Sequence, residues 1–111
     1  MHASQLGFNP EYSESEPSIE QVSALTGAAL LEFGAPWCGH CQAARPSVEQ
    51  AFAEHPQLTH IKVYDNKGKP LGRAFKVKLW PTLILLQDGK EVARLVRPVH
   101  VAEVTDLLTL A

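Results

Sequence analysis

Short apolar runs of strand length, separated by segments of helical periodicity, constrain this chain more than any other feature. The runs are "ALLEF" (residues 29–33), "THIKVYD" (59–65) and "PTLILLQ" (81–87). Between the first two, residues 39–54 place Cys41, Ala44, Val48 and Phe52 on one face and Gln42, Glu49 and Gln50 on the other. That spacing predicts a helix with an inward stripe, kinked at Pro46, whose ring removes a backbone donor. "PSIEQVSALTG" (17–27) predicts a short helix capped by Ser18 and Gln21 and ended by Gly27, with Ile19, Val22 and Leu25 on one face. "KPLGRAFKV" (69–77) reads as a short helix or turn-helix, and "HVAEVTDLLTLA" (100–111) as an amphipathic helix with Val101, Val104, Leu107 and Leu108 inward. "QDGK" (87–90) is a hairpin signal, so "EVARLVR" (91–97) should return antiparallel to the run before it. The expected order is α-β-α-β-α-β-β-α. Strands joined through helices imply a parallel portion and the hairpin an antiparallel one, so the expected class is α/β.

A chain of 111 residues with 45% apolar content is expected to form one domain with a real core. Residues 1–16 are polar and acidic and contain Pro10. They read as a flexible N-terminal arm, with the domain proper in residues 17–111. A net charge of −2 with scattered basic residues leaves no footprint for nucleic acid or an anionic membrane surface. Lys62, Lys67, Lys69, Lys76 and Lys78 read as solvated surface. The apolar runs are too short to span a bilayer, and no basic segment followed by an apolar one marks a secretory signal. The expected location is the cytoplasm.

The only two cysteines, Cys38 and Cys41, stand in "EFGAPWCGHCQAARP" (32–46). A C-x-x-C can be a structural staple, half a metal site or a reactive dithiol. Two cysteines are too few for a disulfide scaffold, and a reducing cytosol disfavours a structural bridge. A zinc site normally takes four ligands. His40 lies between the cysteines, and no histidine pair has helical ligand spacing, since Pro56 interrupts His55 to His60. A C-x-x-C where a buried strand meets a helix favours the dithiol. At that junction the unpaired N–H groups and the helix dipole favour the thiolate of Cys38, the attacking species in disulfide exchange. Cys41, one turn on, can reach it.

On "APWCGHC", on Pro46 five residues beyond the second cysteine and on "PTLILLQDGK", residues 17–111 resemble the thioredoxin-fold family. The inner pair Gly39-His40 and the acid Glu32, six residues before Cys38, resemble the protein disulfide isomerase type. The resemblance implies a central mixed β-sheet flanked by helices. It also implies a thiol–disulfide oxidoreductase that works on protein substrates through its own dithiol, with no bound cofactor. The implied partners are protein thiols or disulfides and a reductase or other thiol donor, with no nucleic acid or membrane, and the chain is expected to be a monomer. The alternatives are a non-catalytic adaptor on the same fold and a metal carrier.

Roles follow from that likeness. Cys38 attacks and Cys41 resolves the mixed disulfide. His40 favours the thiolate and so makes the disulfide the better oxidant, between about −270 mV and about −180 mV. Glu32, an acid inside an apolar strand, is expected to take up a proton and exchange it with Cys41. Pro81 matches a cis-proline facing the dithiol, with neighbouring backbone offering hydrogen bonds to an extended substrate. Trp37 and Trp80 would flank the groove, and Arg97 could approach it. Four features depart from the family: Gly34 stands where an aromatic is usual, Trp80 is bulky for its place, "LVRPVH" (95–100) replaces a Gly-containing turn, and residues 1–16 offer no counterpart of the first strand.

Overall fold

A computed structural model describes all residues 1–111. The chain forms β1 (Ser4–Leu6), α1 (Ile19–Ser23), β2 (Ala28–Gly34), α2 (Gly39–Phe52), β3 (Thr59–Tyr64), α3 (Pro70–Ala74), β4 (Thr82–Gln87), β5 (Lys90–Val96) and α4 (Val101–Thr109). The strands make one mixed sheet in the order β1-β3-β2-β4-β5. β2 and β3 run parallel, and all other pairs are antiparallel. This is the expected α/β class, a mixed sheet with helices on both faces.

Period-two alternation along the central strands sorts side chains to the two faces. Leu31, Phe33, Ile61, Val63, Ile84 and Leu86 pack with Val22 and Leu71 from α1 and α3. Leu30, Leu83 and Leu85 pack with Val48, Ala51 and Phe52 of α2 and Val104, Leu107 and Leu108 of α4. Each fully buried Leu or Phe contributes about 1.5–3 kcal/mol, so both faces hold the sheet. By the same alternation Glu32, Gly34, His60 and Lys62 project toward the α2 face. This parity positions the site.

Three expectations need correction. Residues 1–16 are not a loose arm: Ser4–Leu6 pairs antiparallel with β3, and Ala3 is fully buried. Further along, the Ser13 N–H donates to the Lys62 carbonyl (3.0 Å), and its own carbonyl accepts from Tyr64 (2.8 Å). The segment therefore covers the outer edge of β3, whose unpaired backbone groups would otherwise stay open. Helix α1 carries the expected Ser18–Gln21 capping box but ends at Ser23, with Ile19 exposed and only Val22 buried from the helix. Gly27 (φ +75°) instead ties to the β4–β5 turn, donating to Asp88 Oδ1 at 2.8 Å. Lys62 is 3% exposed, and so does not belong with the solvated lysines.

Candidate active site

Cys38 is the N-cap residue of α2, with extended backbone (φ −76°, ψ 122°). Its Sγ accepts the Cys41 N–H at 3.3 Å, as a cap hydroxyl would, so one orphan donor of the first turn points at the sulfur. Both thiols are free and buried. Cys38, Cys41 and Ala35 form a small cluster bordered by Tyr12, Tyr64 and Trp80. Burial, and then the hydrogen bond with Cys38, pushes the Cys41 thiol up to about 12. A thiol held that firmly is a poor nucleophile until something removes its proton.

Glu32, the acid expected to exchange a proton with Cys41, is set by its own partners. Burial alone would raise its pKa. Hydrogen bonds from His60 and Tyr12, together with the Lys62 charge, outweigh burial and hold the carboxyl below its ordinary value. The direction of this balance is the reverse of the raised value expected from the sequence. His60 Nε2 lies 2.8 Å from Oε1, and the Tyr12 hydroxyl donates to Oε2 at 2.5 Å. His60 is fully buried and stacked on Phe52, with ring centroids 4.6 Å apart. Its Nδ1 accepts the Asn9 N–H at 2.9 Å, so Nδ1 carries no proton and Nε2–H is the donor to Glu32. The nearby positive charge is Lys62, whose Nζ donates to the Pro10 carbonyl at 3.2 Å and sits 4.3 Å from the Tyr12 ring centroid.

The remaining residues singled out in the sequence frame the mouth of the site. The Trp80–Pro81 bond is cis. Trp37 is 61% exposed and meets Trp80 edge-on, with centroids 5.5 Å apart. The Trp37 indole donates to Tyr64 (3.0 Å), and that of Trp80 to buried Asp65 (2.9 Å). Arg97 does approach: its Nε donates to the Trp80 carbonyl at 2.8 Å, and its N–H to the Pro81 carbonyl at 2.9 Å. Both carbonyls beside the cis bond thus accept from Arg97. Gly39 and His40 open α2 on its exposed side. A cleft of about 310 Å³ beside Cys41 is lined by Pro10, Tyr12, Pro36, Arg45 and Lys62 among others. No group of three or more His, Cys, Asp or Glu side chains is placed to hold a metal ion, and no helix is long and apolar enough to cross a membrane.

Sequence reasoning missed Tyr12, Asn9 and His60. His60 and Lys62 carried a signal, since both are polar and alternate with apolar Ile61 and Val63 in one strand. Glu32 pairs with Lys62 in the parallel register. Tyr12 left none of its own beyond the unusual Gly34.

Comparison with known proteins meets this geometry. The family model "Thioredoxin" matches residues 13–109. Thioredoxin from Chlamydia trachomatis is 43% identical over 73 residues, covering 65% of this chain and 71% of that one. Protein disulfide-isomerase from Hordeum vulgare is 38% identical over 66 residues, 54% of this chain and 13% of that one. Among solved structures, thioredoxin 2 from Pseudomonas aeruginosa in its reduced form superposes with a TM-score of 0.84 at 44% identity, covering 93% of this chain and 95% of that one.

Proposed function

The chain belongs to the thioredoxin family, and from that premise we propose that it is a thiol–disulfide oxidoreductase that exchanges disulfides with protein substrates through its CGHC dithiol. The observation that carries the reading is the contrast between the two sulfurs. Cys38 caps a helix with a backbone donor on its Sγ, while Cys41 has its thiol raised and Tyr12, bonded to buried Glu32, packed against the pair.

Cys38 thiolate attacks a substrate disulfide, forming a mixed disulfide and expelling one substrate thiolate. Cys41 then loses its proton and attacks Cys38 Sγ, the Cys38–substrate bond breaks, and the second substrate thiol leaves. The protein keeps the Cys38–Cys41 disulfide, and two electrons have passed to the substrate. Run backwards, the steps oxidise a dithiol, and repeated attack without release would isomerise disulfides. Trp37, Leu79 and half-buried Trp80 offer an apolar rim for a protein chain lying across the sulfurs. The Trp80 carbonyl, which accepts from Arg97, keeps a second lone pair for a substrate strand. His40, exposed one residue before Cys41, biases the couple toward oxidation. In this reading the protein acts as a monomer in the cytoplasm, and a reductase or a small thiol restores the dithiol.

The test is reduction of insulin by dithiothreitol, followed as turbidity of the released chains. Catalysis by the wild type that vanishes in Cys38→Ser is the expected result. A wild type no faster than dithiothreitol alone would leave a non-catalytic adaptor on the same fold.

A further inference from the structure

Gly34 and Tyr12 explain each other. A Cβ built on Gly34 would lie 2.6 Å from the Tyr12 hydroxyl and 2.7 Å from Cys41 Sγ, closer than any side chain tolerates. The missing side chain is the space in which these two groups meet. The Tyr12 ring packs against the Ala35–Cys38–Cys41 cluster, its hydroxyl donates to Glu32 Oε2, and that same hydroxyl and the Cys41 Sγ converge on the space beside Gly34. The phenol proton is engaged with Glu32, so the thiol proton is free to be donated to the phenol oxygen. We propose that Tyr12 is the proton relay between Cys41 and Glu32, a catalytic residue supplied by the segment that precedes the first helix.

The relay rests on the oxidoreductase reading above and completes its resolving step. As Cys41 Sγ closes on Cys38 Sγ, the thiol proton passes to Tyr12 Oη while the phenol proton passes to Glu32 Oε2. The Cys38–substrate bond breaks, the electron pair leaves on the substrate sulfur, which takes a proton from solvent, and Glu32 gives its proton back through Tyr12 Oη to water in the cleft that Tyr12 lines. Nothing is left over. Burial, the Glu32 charge and its hydrogen bond hold the phenol well above its ordinary value, so Tyr12 does not stand as a phenolate and must give and take a proton together. Transfer to a carboxylate held low is uphill in the resting protein. It succeeds only in concert with attack, which consumes the thiolate as it forms. The supporting groups hold the carboxylate in place: His60 and Lys62 from β3, with His60 fixed by the Asn9 N–H.

The test separates the two chemical steps. Single turnovers with a disulfide-bonded peptide are acid-quenched, alkylated and weighed by mass spectrometry, giving the rate of mixed-disulfide formation and the rate of its resolution. Tyr12→Phe keeps the ring between Lys62 and the sulfurs and removes only the oxygen. Its first step should stay within about twofold of wild type, and its resolution should slow by about tenfold or more at pH 7. The deficit should shrink as pH rises, because hydroxide replaces the relay. The groups facing the pair in that titration are Cys38 and Arg45 from α2, His60 and Lys62 from β3, and Glu11 beside Tyr12; all are retained in the variant. Glu32→Gln should slow the same step, and the double variant should be no slower than the slower single one. Wild-type resolution in Tyr12→Phe across pH 6–9 would overturn the relay, with the adjoining cleft supplying water instead. Equal slowing of both steps, or additive losses in the double variant, would overturn it too. A wild type that forms no mixed disulfide would instead overturn the oxidoreductase reading itself.

Discussion

At the scale of single residues, environment assigns the roles. Glu32 and Cys41 are both buried, yet burial wins at the thiol and loses at the acid. Burial and the hydrogen bond with Cys38 take the Cys41 thiol up to about 12, whereas Glu32 has two donors and the Lys62 ammonium and stays low. The sequence carried the buried acid but not its partners, because those partners are set by parallel register and by residues more than fifty positions away, as Asn9 is from His60. His40 is a different case, an exposed imidazole at the start of α2. If its partial charge favours the anion in the reduced state, His40→Ala removes that favour and destabilises the reduced form. The disulfide should become harder to reduce, its potential falling on the order of 20–40 mV, with solvent screening keeping the change small. Equilibration with glutathione, read by alkylation, measures this; an unchanged or higher potential would make His40 only a helix residue.

At the scale of elements, what could be read from the sequence was whatever repeats locally. The apolar stripe of α2 follows from the 3.6-residue period, the Ser18 capping box from local hydrogen bonding and β2 through β4 from their short apolar runs, and all match the structure. β1 escaped because three residues with one inward neighbour, Ala3, show no alternation, and because its stability comes from the β3 edge. The "DG" hairpin was legible down to its turn, with Asp88 and Gly89 both at positive φ (52° and 77°), as a two-residue loop demands. That turn also seats on α1, where a Cβ on Gly89 would lie 2.4 Å from the Ser23 carbonyl oxygen. Gly89→Ala should therefore cost about 1–3 kcal/mol of stability, lowering Tm by roughly 5–15 °C. The change lies at the end of β4 opposite Pro81, so resolution of a mixed disulfide should keep its wild-type rate in the folded variant. A calorimetric Tm within about two degrees of wild type would show that the turn shifts to accept the methyl.

At the scale of the whole molecule, the fold brings three distant stretches to one end of the sheet. The parallel neighbours β2 and β3 supply Glu32, Gly34, His60 and Lys62, and the helix that follows β2 supplies Cys41, with Cys38 as its N-cap. The segment before α1 closes the outer edge of β3 and brings Asn9 and Tyr12 inward. Sheet, helix and leading segment thus bring the dithiol, Tyr12 and the buried Glu32 together. The central claim is the division of labour between the sulfurs, and trapping tests it most directly. Cys41→Ser, incubated with a protein disulfide and analysed by mass spectrometry under non-reducing conditions, should accumulate a mixed disulfide carried on Cys38, while Cys38→Ser under the same conditions should accumulate none. Equal adducts on both variants, or an adduct on Cys41 alone, would contradict the account.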